Sequence, residues 1–461
     1  MIFKTKKRAT DVDMTEGGIV RHLITFAIPL LIGNLFQMMY NMVDTWVVGR
    51  FVSDAAFSAV GTLGSVTNLM IGFFLGLSSG AGVVISRFFG AKKYDRVRDT
   101  VNTSLIMTGV LCVVFTALGL ALIPVFLKML DMPADVSEEA FVYLSIWFSG
   151  ISGLMVYNIG SAIMRAVGDS RRPFIYLVVA AVTNTVLDLL FVVVFHWGVA
   201  GVAIATVIAQ LLSAILTVIS LMRNESCVKI SFGGIRFHKD IIKEILIIGL
   251  PAALQMTITA FSNIFVQSYI NYFGKEVMGG WTAYTKIDQI VLLPMQSLAL
   301  ASTTFVGQNI GKNQVKRAEK GANTALYMSF ASTAVLILPI VIFSGTFVSI
   351  FNKNPEIISY GSIFLRWLTP FYLFWCVNQV YSGALRGVGK STAPMLIMLF
   401  SFVLFRQTYL FIVSNYISNT ILPIALGFPA GWVLSALITV IYYKITGLKP
   451  KENKKAVPTE A

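Results

Sequence analysis

Charge is scarce in this 461-residue chain: Asp, Glu, Lys and Arg together make up 13% of it, against about 25% in a typical soluble domain. Histidine and cysteine are scarcer still, with three residues each. His22, His196 and His238 lack the spacing of metal ligands, and Cys112, Cys227 and Cys376 cannot form a disulfide framework. The longest polar stretch, about 223–244, is only a connector. These shortages exclude a water-soluble enzyme and a disulfide-stapled domain. They leave no segment for a soluble output domain or ATPase.

Apolar residues are what the chain has, at 56% with a mean hydropathy of +0.76. Runs of about 20 apolar residues suffice to cross roughly 30 Å of hydrocarbon as a helix. Twelve are expected, over 23–48, 57–80, 101–127, 140–162, 173–195, 199–221, 245–270, 281–305, 322–348, 358–382, 393–415 and 419–443. The basic start Met1–Arg8 resembles the front of a signal peptide, but the run after it is too long and lacks a cleavage site, so it reads as a retained first span.

Basic residues orient the spans, because cytoplasmic loops are enriched in Lys and Arg. Of the 36, 29 fall in the terminal tails and in the loops after even-numbered spans. The opposite loops hold Arg50, Lys128, Lys275 and Lys353, while Lys286, Arg366 and Arg406 lie inside spans. Both termini are therefore expected in the cytoplasm. The formal net charge of +14 reads as a topological collar, with no nucleic-acid partner implied.

The chain also repeats itself. Ser161-Ala-Ile-Met-Arg165-Ala-Val-Gly168-Asp-Ser170-Arg-Arg-Pro173 returns 221 residues later as Ser382-Gly-Ala-Leu-Arg386-Gly-Val-Gly389-Lys-Ser391-Thr-Ala-Pro394. Gly90 and Gly311, Arg96 and Arg317, and Asn102 and Asn323 share that offset, and Pro29 and Pro251 differ by 222. Two six-span halves in the same orientation are expected, related by an axis along the membrane normal. The boundaries are an amino-terminal lobe at 1–222, a connector at 223–244, and a carboxy-terminal lobe with its tail at 245–461. Gly387-Val-Gly-Lys-Ser391 imitates a phosphate loop, but Ala384 stands where the first glycine is required and the preceding segment is a membrane helix. Arg165 and Arg386 read as helix-end cations interacting with the last carbonyls.

Intramembrane acids are costly and are functional candidates by default. Only Asp44, Asp188 and Asp288 qualify. Asn34, Gln37, Asn41 and Asp44 follow a 3-4-3 spacing that puts them on one helical face, expected to line a crevice. Asn184 and Asp188 share a face of span five, and Thr206 and Gln210 a face of span six. Asp44, Asp188 and Thr206 all fall in the outer half of the membrane. In the second half Thr259 and Asn263 repeat Gln37 and Asn41, with Gln255 extending the polar face, whereas Val266 and Tyr409 replace the two carboxylates. Asp288 has two readings, contact with a cationic substrate or neutralisation of Arg406 or Arg366. Lys286, two residues before it, lies on a different helix face.

Phe26-Ala-Ile-Pro29-Leu-Leu-Ile-Gly-Asn34, Tyr40-Asn41-Met-Val-Asp44-Thr45, the paired Arg-x-Val-Gly segments and Thr304-Phe-Val-Gly-Gln308-Asn309-Ile-Gly311 resemble the multidrug and toxic compound extrusion transporters over essentially the whole chain. The resemblance implies an all-α, twelve-helix, two-lobed exporter of amphipathic, often cationic, organic compounds. It further implies antiport with H+ or Na+, no cofactor, and a monomer in a bacterial cytoplasmic membrane. Asp44, Asn184, Asp188 and Thr206 match the family's cation-coupling residues. Asn34, Gln37, Asn41, Gln210, Gln255, Thr259, Asn263 and Asp288 are expected to line the cavity or meet substrate. The absence of an acid on span seven argues against a carboxy-lobe ion site. A flippase for a lipid-linked saccharide is the alternative, since related exporters share the architecture; it requires a cavity rich in Arg or Lys.

Overall fold

In hydrocarbon every backbone N–H and C=O must be paired within the protein, which leaves helices as the natural form for these apolar runs. The computed structural model describes residues 11–129, 134–223, 226–230 and 238–449, and among these it contains no strand. The first lobe consists of α1 (Ile19–Phe51), α2 (Asp54–Gly90), α3 (Tyr94–Met129), α4 (Ala134–Ser149), α5 (Ile151–Ala166), α6 (Arg171–Asp188) and α7 (Gly198–Arg223). The second begins with α8 (Lys239–Asn271), α9 (Lys275–Gly311), α10 (Val315–Ile342), the short α11 (Ser344–Ser349), α12 (Pro355–Leu368) and α13 (Tyr372–Gly387). It ends with α14 (Thr392–Met398), α15 (Arg406–Ile412), α16 (Ile421–Ala425) and α17 (Gly427–Thr446).

Ten described helical runs are long and apolar enough to cross a bilayer, and α4 with α5 makes an eleventh. The expected spans 140–162 and 358–382 are each two helices. The first is bent by 46° at Gly150, where Val207 of α7 packs so close that no Cβ fits. In the second, the 3-10 turn Thr369–Phe371 joins α12 to α13 at Pro370, which has no N–H to continue the α-helical ladder. Spans five and eleven are also irregular, with π segments at Leu189–Val194, Leu399–Phe405 and Val413–Ile417. Such segments cluster at functional sites, and Asp188 is the last residue before the first of them.

The lobes meet along a seam at the end where basic residues collect. A Cβ on Gly80 of α2 would lie 2.7 Å from the Cα of Gly249 on α8, and Gly76 sits as tightly against Ala252 and Ala253. Further along α2, Gly90 faces the backbone of Gln308, and Gly311 on α9 faces that of Arg87. No side chain fits between these backbones. Arg87 pairs with Glu244 at 2.9 Å, and Arg96 with Asp240 at 3.1 Å. Toward the opposite end the helices diverge: Gly72 still reaches the side chain of Met256, but a Cβ on Gly64 or Gly61 would meet nothing within 4 Å. The cleft is therefore shut at the basic face and open at the other.

The segment before α1 closes this seam like a strap. Val12 N–H donates to Val167 O of the first lobe (2.8 Å), and Met14 N–H to Gln308 Oε1 of the second (2.8 Å). Gln308 is fully buried, and its Nε2 donates to Ala166 O at 2.9 Å, so one amide ties strap and both lobes together. Lys312 pairs with Glu16 at 2.7 Å, and Arg317 donates to the carbonyls of Glu16 and Gly17. Met14, 1% exposed, packs into the core of the second lobe.

Candidate functional site

The polar faces of α1, α6 and α7 converge inside the first lobe. Asp188, at the end of α6, is fully buried, and neither carboxylate oxygen has a hydrogen-bonding partner beyond the one carboxyl beside it. That neighbour is Asp44 of α1, within hydrogen-bonding reach across the helix pair. Asn184, one turn before Asp188, donates through Nδ2 to Thr206 Oγ1 at 3.5 Å, and its Oδ1 is left free. Two carboxyl groups in contact in a low-dielectric interior repel unless a cation or proton lies between them. With the free amide oxygen and the threonine hydroxyl, they make a set of hard oxygen acceptors.

Beside this cluster lies a cavity of about 130 Å³, lined by Asn34, Gln37, Asn184, Thr206 and Gln210 among others. It has room for ions and several waters. A drug-sized ligand needs roughly 300–1,000 Å³, more than this cavity offers. Asn41, expected on the same face of α1, is exposed and lies outside the cavity lining. Tyr40 lines the cavity instead, and it and Tyr143 of α4 lie within electrostatic range of both carboxyls. Tyr40 stands four residues before Asp44, a spacing that could have marked it. Nothing in the sequence around Tyr143 signalled its role, because α4 brings it in from another part of the chain.

The carboxy-terminal lobe holds its polar residues differently. Asp288 accepts a hydrogen bond from the Tyr372 hydroxyl, whose oxygen lies 3.1 Å from the Tyr284 hydroxyl and accepts from it. Among the described residues Asp288 forms no ion pair with Arg406 or Arg366. Arg406 is 1% exposed; it donates to Ser262 Oγ and Asn263 Oδ1, both at 3.2 Å, and lies over the rings of Phe402 and Phe428 at 4.3 and 4.7 Å. Arg366 donates to Ser344 Oγ at 2.8 Å, and Lys286 is exposed. Gln255 is buried, bonded to Met398 Sδ and to Arg386, while Thr259 turns its hydroxyl to the carbonyl of Gln255. These residues do not gather into a second acceptor cluster. Arg386 thus bonds to α8, where the sequence suggested the carbonyls of its own helix end.

The comparisons agree with this architecture. The MatE family profile matches residues 29–190 and again 251–412, once in each half. "Probable multidrug resistance protein YpnP" of Bacillus subtilis is 28% identical over 433 residues, covering 94% of this chain and 96% of that protein. "Probable multidrug resistance protein NorM" of Thermotoga maritima is 26% identical over 451 residues, covering 96% and 95%. Among solved structures, a MOP superfamily transporter from Pyrococcus furiosus superposes with a TM-score of 0.90 at 22% identity, over 95% of this chain and 98% of the other. With the profile matching both halves over most of its length, this chain belongs to the MatE family, that of the multidrug and toxic compound extrusion transporters.

Proposed function

We propose that the chain is a multidrug efflux antiporter, exporting amphipathic and often cationic organic compounds in exchange for H+ or Na+. The observation that carries this reading is the contact between Asp44 and Asp188 beside a cavity too small for the exported compound. A cation or proton held there, with Asn184 and Thr206, favours one arrangement of the lobe. Substrate in the cleft favours the other, and only such differential binding couples the two fluxes. The basic face is cytoplasmic, so the described conformation opens outward, ready to release substrate and take up the coupling ion. The moving units are the lobes 1–222 and 245–461, joined by the connector 223–244. The protein works as a monomer in a bacterial cytoplasmic membrane and is a transporter with no cofactor or catalytic residue.

The flippase reading has less support, because it needs cationic groups open to the cleft for an anionic headgroup. Arg406 is buried under aromatic rings, and Arg366 is bonded to Ser344.

Proteoliposomes loaded with a fluorescent cationic dye, under an imposed Na+ or pH gradient in separate runs, test the proposal. Wild-type protein is expected to respond to one gradient, and Asp44→Asn and Asp188→Asn to neither, while both variants elute as folded monomers. Full gradient-driven transport by both variants would overturn the assignment.

A further inference from the structure

The cavity beside the carboxyl pair has a second end. It extends for about 15 Å along α6, from Phe174 to Asn184, and at the basic-face end Arg165 lines it. Arg165 stands in the last turn of α5 and has no hydrogen bond or ion pair among the described residues. Its counterpart by internal repeat, Arg386, is tied to Gln255. The lobe that carries the carboxyls is thus the one whose arginine is left unbonded at the cavity wall. Polarity reverses along the cavity. The outer end presents buried acceptors without donors, namely Asn184 Oδ1 and Gln210 Oε1, next to the Asp44 and Asp188 oxygens. The inner end presents a guanidinium, which has only donors.

We infer that Arg165 is the inner electrostatic barrier of the coupling-ion path: it keeps a cation that has reached the Asp44–Asp188 site from leaking through the lobe to the basic face. The inference rests on the cation-coupled reading above. A fixed arginine charge in a narrow polar conduit excludes protons and cations. A cation passing within about 6 Å of it, at an effective dielectric constant of about 20, is disfavoured roughly a hundredfold. With the barrier in place, the ion can go inward only when the lobes rearrange, which is the condition for tight coupling.

The test is ion leak in proteoliposomes without substrate, followed with an encapsulated pH or Na+ dye. Wild-type vesicles are expected to hold the gradient, and Arg165→Gln to dissipate it at least tenfold and up to about a hundredfold faster and to export less dye per ion. Arg165→Lys, which keeps the charge, is expected to stay tight. Equal leak from the Lys and Gln variants, or none from Gln, would overturn the inference. Should the Gln variant fail to reconstitute, Arg165→His read at about pH 5.5 and about pH 8 gives the same answer in one preparation. Leak only at the higher pH supports the barrier, and leak at both or neither overturns it. Wild-type vesicles that export dye under neither gradient would refute the coupled reading itself, whereas coupled export with a tight Gln variant refutes only the role of Arg165.

Discussion

Replacing Gln308 with alanine is expected to loosen the basic-face seam while leaving each lobe folded. The side chain makes two hydrogen bonds, donating to Ala166 O at 2.9 Å and accepting from Met14 N–H at 2.8 Å. Both cross between parts that separate when the seam opens. In the open state all four groups meet water, so their loss weighs on the closed state alone. At about 0.5–1.5 kcal/mol per bond, the variant shifts the seam equilibrium by about 2 kcal/mol, roughly thirtyfold. Ser86 provides the reporter: it is 1% exposed and packs against Gly307 across the seam. In a background with Cys112, Cys227 and Cys376 replaced, Ser86→Cys is treated from the basic side with a membrane-impermeant maleimide. Labelling is expected to be slow in the parent and roughly thirtyfold faster with Gln308→Ala, at equal thermal stability of the solubilised protein. Equal labelling rates would refute the view that Gln308 pins the lobes together, and a large fall in stability would show that it supports the lobe interior instead.

Gly80→Leu is expected to open the same seam by overpacking, at about 1–3 kcal/mol, because its Cβ would lie 2.7 Å from the Cα of Gly249. Gly61→Leu, with nothing within 4 Å, is the control expected to leave labelling and transport unchanged. The strap is expected to withstand mild acid. Burial pushes Asp13 up, but the hydrogen bonds from Thr15 and the charges of Lys312 and Lys92 outweigh it and hold the carboxyl below its ordinary 3.8. A depressed value means stabilisation present above pH 3.8 and lost as pH falls through the lower folded value. Proteolysis near residues 11–18 should therefore be unchanged between about pH 7 and pH 5; acceleration within that range would contradict the role given to Asp13.

The candidate site was partly legible for a chemical reason. Acids in a membrane span are so costly that three carboxylates stood out with no structure at all. Helical spacing then grouped Asn184 with Asp188, and Thr206 with Gln210. It did not separate Asn34 and Gln37, which line the enclosed cavity, from Asn41, which is exposed outside it. Spans 140–162 and 358–382 were legible as apolar runs, but their breaks were not. Hydropathy measures how much apolar chain is present, and the breaks at Gly150 and Pro370 come from a neighbouring helix and from one missing N–H. Arg165 could be found in the repeat but not interpreted from it, since its free state depends on what surrounds it.

The sequence by itself determined the solvent, the helical class, the duplication and the confinement of paired carboxylates to one half. Each follows from local composition, because a bilayer imposes its demands on every stretch of about 20 residues separately. Only the tertiary structure decided that Asp44 comes beside Asp188, that Tyr40 and Tyr143 lie within electrostatic range of them, and that the cleft is shut at one end. Those facts depend on how near two helices come. The distance is set by glycines meeting backbones and by a strap whose hydrogen-bonding partners lie almost 300 residues away, at Gln308 and Asn309.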